Sequence, residues 1–268
     1  MKDDVRLDVW LVQHGLAGGR DKAKELLASG QVTVNGRPVR KPSFGIAPDD
    51  RVVCAAPAEK YVGRGGYKLE KLLEGQDLTG QVFMDVGAST GGFTDCLLQH
   101  GAARVYAVDV GRDQLHPSLR ADRRVTVLEE TDARSERLAA AVEDGSLDGI
   151  VTDVSFVSLT RVLPPVLRYL RPDGFLICLI KPQFEAGRGD IGKRGVVRDP
   201  AVHRRVLTEL LTFFSEMGWT AEQLTFSPIT GGEGNIEYLV RLRRSDGVSA
   251  AAWDVSPLVA QAFAALGR

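Results

Sequence analysis

The sequence predicts an α/β fold, a largely parallel sheet with helices on both faces, preceded by a small α+β unit. Three observations carry that prediction. From Gln81 onward, strand-like and helix-like patterns alternate. Within that region the apolar run ending at Asp85 enters a glycine turn, Gly87-Ala88-Ser89-Thr90-Gly91-Gly92, and resumes as the helical pattern Phe93 to Leu98. The first 58 residues keep a different rhythm, two short helices followed by a small sheet.

Composition narrows the class. A chain of 268 residues, 44% hydrophobic and 26% charged, is a soluble globular protein with one large core, or a medium domain plus a small one. The net charge of −1 means that a nucleic-acid partner must be held by a local basic face. Cys54, Cys96 and Cys178 form no C-x-x-C pair, and Cys96 and Cys178 lie in apolar runs, as reduced core thiols of a cytoplasmic protein do. The opening MKDDVRLDVW is too charged for a signal peptide, and the longest apolar run, Phe175 to Ile180, is too short to span a membrane. His14, His100, His116 and His203 are scattered without a partner at ligand spacing, so no metal is expected.

In chain order, Arg6 to Val12 has apolar residues at helical spacing and ends at Gly15; Arg20 to Leu27 is a second helix, stopped by Ser29-Gly30. Gln31 to Gly36 alternates and turns at Asn35-Gly36, returning as Arg37 to Lys41, and Asp49 to Cys54 closes the small sheet. Basic residues gather on the second helix (Arg20, Lys22, Lys24) and the hairpin arm (Arg37, Arg40, Lys41). Through R-L-D at 6–8, G-L-A at 15–17, R-D-K-A at 20–23 and G-Q-V-T-V-N-G at 30–36, this unit resembles the S4-like RNA-binding domain shared by a small-subunit ribosomal protein, pseudouridine synthases and tyrosyl-tRNA synthetases. In such a domain those cations, with Arg6, would neutralise phosphates; a solvated charged face is the bland alternative.

Ala55 to Lys60 is small and proline-bearing and reads as a linker. Tyr61 to Leu73 carries a flexible Arg64-Gly65-Gly66, then a helix with Leu69, Leu72 and Leu73 on one stripe and Lys68 at its start. The turn from Asp85 to Gly92 reads D-x-G-x-x-x-G-G, which departs from the dinucleotide spacing G-x-G-x-x-G and resembles the first motif of S-adenosylmethionine (AdoMet) methyltransferases. An ordinary glycine-rich turn is the alternative. Arg104 to Asp109 is the second strand, its Asp109 about twenty residues past the glycines, where an acid can accept both hydroxyls of a ribose. Arg124 to Leu128 is the third strand; Asp132, just after it, is placed to accept from an adenine amino group.

Leu147 to Thr152 is the fourth strand, followed by Asp153; Ser158 to Leu170 is a helix stopped by Arg171-Pro172-Asp173-Gly174. Phe175 to Ile180 is so apolar that it must be central, which puts Lys181 at the ligand edge of the sheet. Ala186 to Arg198 holds four glycines and four basic residues, Arg188, Lys193, Arg194 and Arg198, and reads as a loop too glycine-rich to pack. Pro200 to Met217 is a helix, Thr220 to Ser227 and Ile236 to Leu242 are a final hairpin with one antiparallel edge strand, and Trp253 to Leu266 is a closing helix.

Lys68, Asp153, Lys181 and Glu237, in this order and on four elements, resemble the tetrad of the FtsJ-like ribose 2′-O-methyltransferases. Together with R-G-G-Y-K-L, D-V-G-A-S-T-G-G-F-T, D-V-S-F-V-S-L, K-P-Q-F-E and G-N-I-E-Y, and the domain in front, nearly the whole chain resembles the TlyA family, whose members are often named hemolysins. Gly63 stands where that family has serine. The resemblance implies a seven-stranded Rossmann-like AdoMet-dependent methyltransferase sheet, with an RNA-binding domain at 1–58, a linker at 59–66 and a catalytic domain at 67–268. It implies AdoMet held by Asp85, Gly87, Ser89, Thr90, Gly91, Gly92, Phe93, Asp109 and Asp132. Ribosomal RNA or ribosomal subunits are the implied partner, methylated at cytidine 2′-hydroxyls and contacted further by Arg64, Arg188, Lys193 and Arg194; no membrane, metal or obligate protein partner is implied.

The chemistry is consistent with those residues. A ribose hydroxyl is a poor nucleophile, so methyl transfer needs in-line positioning and a group to take the proton. Lys181 is the expected base, Asp153 its aligner, and Lys68 and Glu237 orient the ribose and tune the charge. A non-catalytic RNA-binding scaffold would require the four to be accidental. A cytolysin is opposed by the absence of any spanning pattern, and an NAD-dependent dehydrogenase by the glycine spacing.

Overall fold

A computed structural model describes residues 5–55, 59–192, 194–245 and 253–267. The chain folds as two compact units, Met1–Gly63 and Arg64–Arg268. Residues 56–58 of the expected linker lie outside the described residues.

In the smaller unit, β1 (Val5–Arg6) leads into α1 (Leu7–Gln13) and α2 (Arg20–Ala28), then β2 (Val32–Val34), β3 (Arg37–Pro38), β4 (Gly45–Ile46) and β5 (Val52–Cys54). β3-β2-β5 form an antiparallel sheet, and β1 pairs with β4, a short ladder the sequence pattern does not reveal. Asn35 (φ 51°) and Gly36 (φ 77°) are both left-handed, the backbone that a two-residue hairpin needs to match strand twist. Leu7, Leu11, Leu26, Leu27, Val32 and Ile46 close the core.

The larger unit opens with α3 (Gly65–Leu73), followed by β6 (Val82–Val86), α4 (Gly92–Gln99), β7 (Arg104–Val108), α5 (Pro117–Arg120), β8 (Val125–Leu128), α6 (Glu136–Ala141) and β9 (Leu147–Thr152). It continues through α7 (Leu159–Val166), β10 (Leu170–Ile180), α8 (Pro182–Glu185), α9 (Pro200–Glu216), β11 (Trp219–Phe226), β12 (Tyr238–Arg244) and α10 (Ser256–Leu266). The sheet has seven strands in the order β11-β12-β10-β9-β6-β7-β8. The chain runs outward from β6 through β7 to β8, then returns to β9 on the other side of β6; such a switch point opens a crevice at the strands' carboxyl ends. No helix among the described residues is long and apolar enough to cross a membrane.

Three expectations are corrected. The reversed strand is β12, which lies between β10 and β11 and is antiparallel to both, so the edge strand is β11. Burial explains the order: Tyr238, Leu239, Val240 and Leu242 are all fully buried and need a strand on either side, whereas β11 is half exposed. α7 ends at Val166 rather than Leu170, because Pro164 and Pro165 lack the N–H that would continue the helical ladder; a 3-10 turn, Leu167–Tyr169, follows. The expected stop at 171–174 is instead a register shift inside β10, between Leu170 and Phe175.

The turn glycines serve packing as well as the turn. Gly87 (φ +85°) and Gly91 (φ +96°) do provide the sharp turn. Yet the space a Cβ would fill is occupied by the protein itself. At Gly87 a Cβ would lie 3.0 Å from the carbonyl oxygen of Asp153, and at Gly92 3.0 Å from the amide nitrogen of Gly66. Gly91 abuts the side chains of Leu115 and Leu119. The glycine turn is thus the point where β6, the β9 loop and α3 meet backbone to backbone. Gly87→Ala combines a left-handed alanine with a main-chain clash and should destabilise the protein by about 2 kcal/mol or more. A thermal melt that left Tm unchanged would contradict this packing.

Candidate active site

Each parallel strand ends at the same edge, so residues just past their carboxyl ends converge there. Asp85, inside β6, is fully buried. Thr94 Oγ1 donates to its Oδ2 at 2.7 Å, and Oδ1 has no hydrogen-bond partner among the described residues. Burial, with Asp153 and Asp109 adding like charge, pushes its carboxyl up to about 7. Asp109 follows β7 and receives the N–H of Ser89 at 2.8 Å and of Gly111 at 2.7 Å, which pins the glycine turn to the next strand. Ser89 (φ 47°) and Thr90 are exposed on the turn, and Phe93 is buried with its ring against Gly65. Asp132 lies past β8, its carboxylate held well down, to about 2, by the Arg134 guanidinium at 2.8 Å.

The four candidate catalytic residues reach one edge and resolve into two ion pairs. Lys68 Nζ, in the first turns of α3, lies 2.6 Å from Glu237 Oε2, and both side chains are less than a tenth exposed. Glu237 immediately precedes β12; because that strand is reversed, its amino end comes to where the parallel strands have their carboxyl ends. Lys181 Nζ, just past β10, lies 2.7 Å from Asp153 Oδ1 and donates to Ser155 Oγ at 2.8 Å. Asp153 follows β9, and a Cβ on Gly65, the first residue of α3, would lie 3.4 Å from its Oδ2. Gln183 Nε2 reaches Glu237 Oε1 at 3.4 Å.

The loops after β9 and β10 are paired residue by residue, a feature missed in the sequence. Besides Asp153 and Ser155 on Lys181, the ring of Phe156 meets that of Phe184 with centroids 4.9 Å apart. Ser158 Oγ donates to Glu185 Oε2 at 2.6 Å, and burial raises the Glu185 carboxyl. Phe156 is 90% exposed and left-handed (φ 64°), an unfavourable backbone for a bulky residue. A signal was present: D-V-S-F and K-P-Q-F-E each place a phenylalanine three residues past a charged strand end, where no core position calls for one.

Contrary to expectation, the 186–198 segment packs near its end, at Val197. Val197 is buried, its N–H donates to Asn235 Oδ1 at 3.1 Å, and Asn235 Nδ2 donates to Gly195 O at 2.9 Å. His203, buried in α9 with its pKa lowered by that burial, bridges Val197 O and the Tyr238 hydroxyl, each at 3.0 Å. Hydrogen bonds from Asn235 and His203 supply the order that glycine content does not. Arg194 is exposed, Lys193 lies outside the described residues, and Arg188 falls in a 3-10 turn, Arg188–Asp190. Arg64 is exposed, with Nη2 donating to Thr230 O at 2.7 Å.

In the smaller unit, Arg6 and Arg20 share the buried carboxylate of Asp8, at 3.0 and 3.1 Å, and the Arg6 hydrogen bond holds it down to about 2. Lys22 lies near Glu25 and Glu59. Arg37, Arg40 and Lys41 are exposed, with no ion pair among the described residues.

The FtsJ-like methyltransferase family model matches residues 61–244, and the S4 domain model matches residues 5–52. The chain is 41% identical over 242 residues to the 16S/23S rRNA (cytidine-2′-O)-methyltransferase TlyA of Mycobacterium tuberculosis, covering 89% of this chain and 90% of that one. It is 40% identical over 237 residues to Hemolysin A of Brachyspira hyodysenteriae, covering 88% and 98%. A solved Streptococcus thermophilus structure named as a hemolysin superposes with a TM-score of 0.73 at 39% identity, covering 98% of this chain and 96% of that one.

Asp85 yields a test of the buried edge. The folded carboxyl is neutral up to about pH 7, whereas the unfolded one ionises near its ordinary 3.8, so unfolding releases a proton between those values. Stability should therefore fall as pH rises from about 4 to about 7 and level off above, by an amount on the order of 4 kcal/mol. Asp85→Asn removes that titration, so its Tm should decline less than that of the wild type between pH 5 and 8. Parallel Tm curves for the two proteins would show that Asp85 is not held neutral.

Proposed function

The chain belongs to the FtsJ-like methyltransferase family, and we infer from that membership and from its edge chemistry that it transfers a methyl group from AdoMet to cytidine 2′-hydroxyls of ribosomal RNA. One observation supports the assignment of roles above the rest: Lys181 Nζ sits between Asp153 Oδ1 and Ser155 Oγ, at 2.7 and 2.8 Å. A neutral amine has two N–H bonds and one lone pair. One N–H is given to Ser155, while Asp153 Oδ1 makes an ion-pair contact with the nitrogen without hydrogen-bond geometry, so a further direction on nitrogen is left for the hydroxyl proton.

AdoMet, when bound, supplies an electrophilic methyl group on a sulfonium. The residues fit such a ligand. Each Asp109 oxygen retains acceptor capacity beyond its backbone donor, which suits vicinal ribose hydroxyls, and the unpartnered Asp85 Oδ1 lies in the strand just before the glycine turn. Gly87, Ser89, Thr90, Gly91, Gly92 and Phe93 would hold or shape its place, and Asp132 would accept from the adenine with capacity that Arg134 leaves. Lys181 takes the 2′-hydroxyl proton as the oxygen attacks. Asp153 stabilises the resulting ammonium, and the Lys68–Glu237 pair orients the ribose without adding net charge.

The S4 domain supports RNA as the substrate. We take residues 1–58 as the RNA-binding domain, joined by 59–66 to the catalytic domain 67–268, with Arg6, Arg20, Lys22, Arg37, Arg40 and Lys41 neutralising phosphates and Phe156 and Phe184 stacking on a base. Arg64, Arg188, Lys193 and Arg194 would add phosphate contacts. Ribosomal RNA places the protein in the cytoplasm, and neither metal nor protein partner enters this reading.

Tritium transfer from labelled AdoMet to ribosomal RNA tests it. Lys181→Ala should lose activity by about 10²–10⁴-fold, the range of a general base, with AdoMet affinity within a few-fold of wild type. Ser155→Ala, which removes one hydrogen bond, should cost about tenfold. Normal turnover by the Lys181 variant would dismiss it as the base.

A further inference from the structure

A cleft of about 880 Å³ opens between the 196–198 segment, the 228–236 loop and α10. Its floor includes Val197 and Ile236, both buried, with half-buried Phe263 and Leu266; Arg64 and Arg198 stand on its wall, with Glu233 as the acid among its lining residues. We propose that this cleft binds one or two nucleotides of the RNA strand flanking the methylated one, with a base or ribose on the apolar floor and phosphates at Arg64 and Arg198. The proposal rests on the reading of the protein as an RNA methyltransferase.

Position is the first argument. Ile236 adjoins Glu237, and Arg64 precedes Lys68 by four residues, about 6 Å of helix rise, so the cleft borders the Lys68–Glu237 pair. The glycine turn and Asp109 belong to β6 and β7, on the opposite side of β9 and β10. A methyl donor held there leaves the β12 half of the edge to the strand that brings its ribose to Lys181. The second argument is charge: two guanidiniums oppose one carboxylate, and Arg198 has no ion pair among the described residues. Third, the backbone that presents Arg198 is already held by the hydrogen bonds of Val197 to Asn235 and His203, so little order remains to be lost on binding. The size falls in the range of small-ligand sites, and a floor of apolar side chains with arginines beside it suits a nucleotide better than a bare phosphate.

The test uses the full chain, labelled AdoMet and ribosomal RNA from cells lacking the gene, with two substitutions at exposed positions. Arg198→Glu reverses a charge on the wall; Ala265→Trp, on α10, fills the cleft without changing charge. Each should raise the KM for RNA at least tenfold, with kcat and AdoMet affinity within twofold of wild type. Only Arg198→Glu should reduce the slope of log KM against log salt, by about one. Unchanged RNA KM in both variants, with an active wild type, would overturn the cleft and leave the activity standing, and so would a cleft that takes up apolar peptide but no oligonucleotide. A wild type that methylates no RNA would overturn the parent reading and this one together.

Discussion

The arrangement of the catalytic edge depends on one steric constraint, the contact of three backbones at the glycine turn. Gly87 lies against the main chain of Asp153 and Val154, and Gly92 against Gly65 and Gly66. None of these contacts tolerates a Cβ without displacement of backbone. Through the first, β6 fixes where Asp153 leaves its strand; through the second, α4 fixes where α3 begins and therefore where Lys68 stands. The Asp153 carboxylate adjoins the same anchor, since a Cβ on Gly65 would lie 3.4 Å from its Oδ2. A turn usually read as room for a ligand is here equally the joint that assembles the side chains around it.

Strand direction supplies the fourth residue. In an all-parallel sheet the amino end of the strand beside β10 would lie at the far edge, roughly a strand length from Lys181. Reversing β12 brings Glu237 to the near edge, where Lys68 neutralises it at 2.6 Å. Two cations and two anions with little exposure would be costly if unpaired. Paired, they keep the edge close to neutral.

Much of this was legible because the relevant residues end apolar runs. Lys181 follows a run that only a central strand explains, and Asp153 and Asp109 terminate runs of the same kind, so their arrival at one edge follows from parallel topology. Asn35-Gly36 declared its hairpin through backbone preference alone. What stayed hidden depends on contacts between distant segments. That Val197 packs could not be read from a glycine-rich stretch, because its order comes from Asn235 and His203, far along the chain. The extension of β10 back to Leu170 was masked by Arg171-Pro172-Asp173-Gly174, a turn signal that the sheet absorbs as a register shift. The pairing of Phe156 with Phe184 depends on two segments lying side by side, which the spacing within either segment does not fix.

Two buried aspartates show how the same residue serves opposite ends in the two units. Asp8 is fully buried but faces two guanidiniums and is held down to about 2; Asp85 is fully buried, faces a hydroxyl and two other carboxylates, and is pushed up to about 7. At Asp8 the hydrogen bond from Arg6 outweighs burial, whereas at Asp85 burial outweighs the hydrogen bond from Thr94. For RNA binding the difference matters. Residues 1–63 contain ten Lys and Arg against eight Asp and Glu, so the smaller unit has no large excess of positive charge to offer. Asp8 spends one carboxylate on two arginines, leaving both side chains exposed and one of the two charges uncompensated, in fixed positions rather than as freely moving chains. With Arg37, Arg40 and Lys41 unpaired on the hairpin arm among the described residues, a nearly neutral unit concentrates its positive potential where the helices and the arm present it.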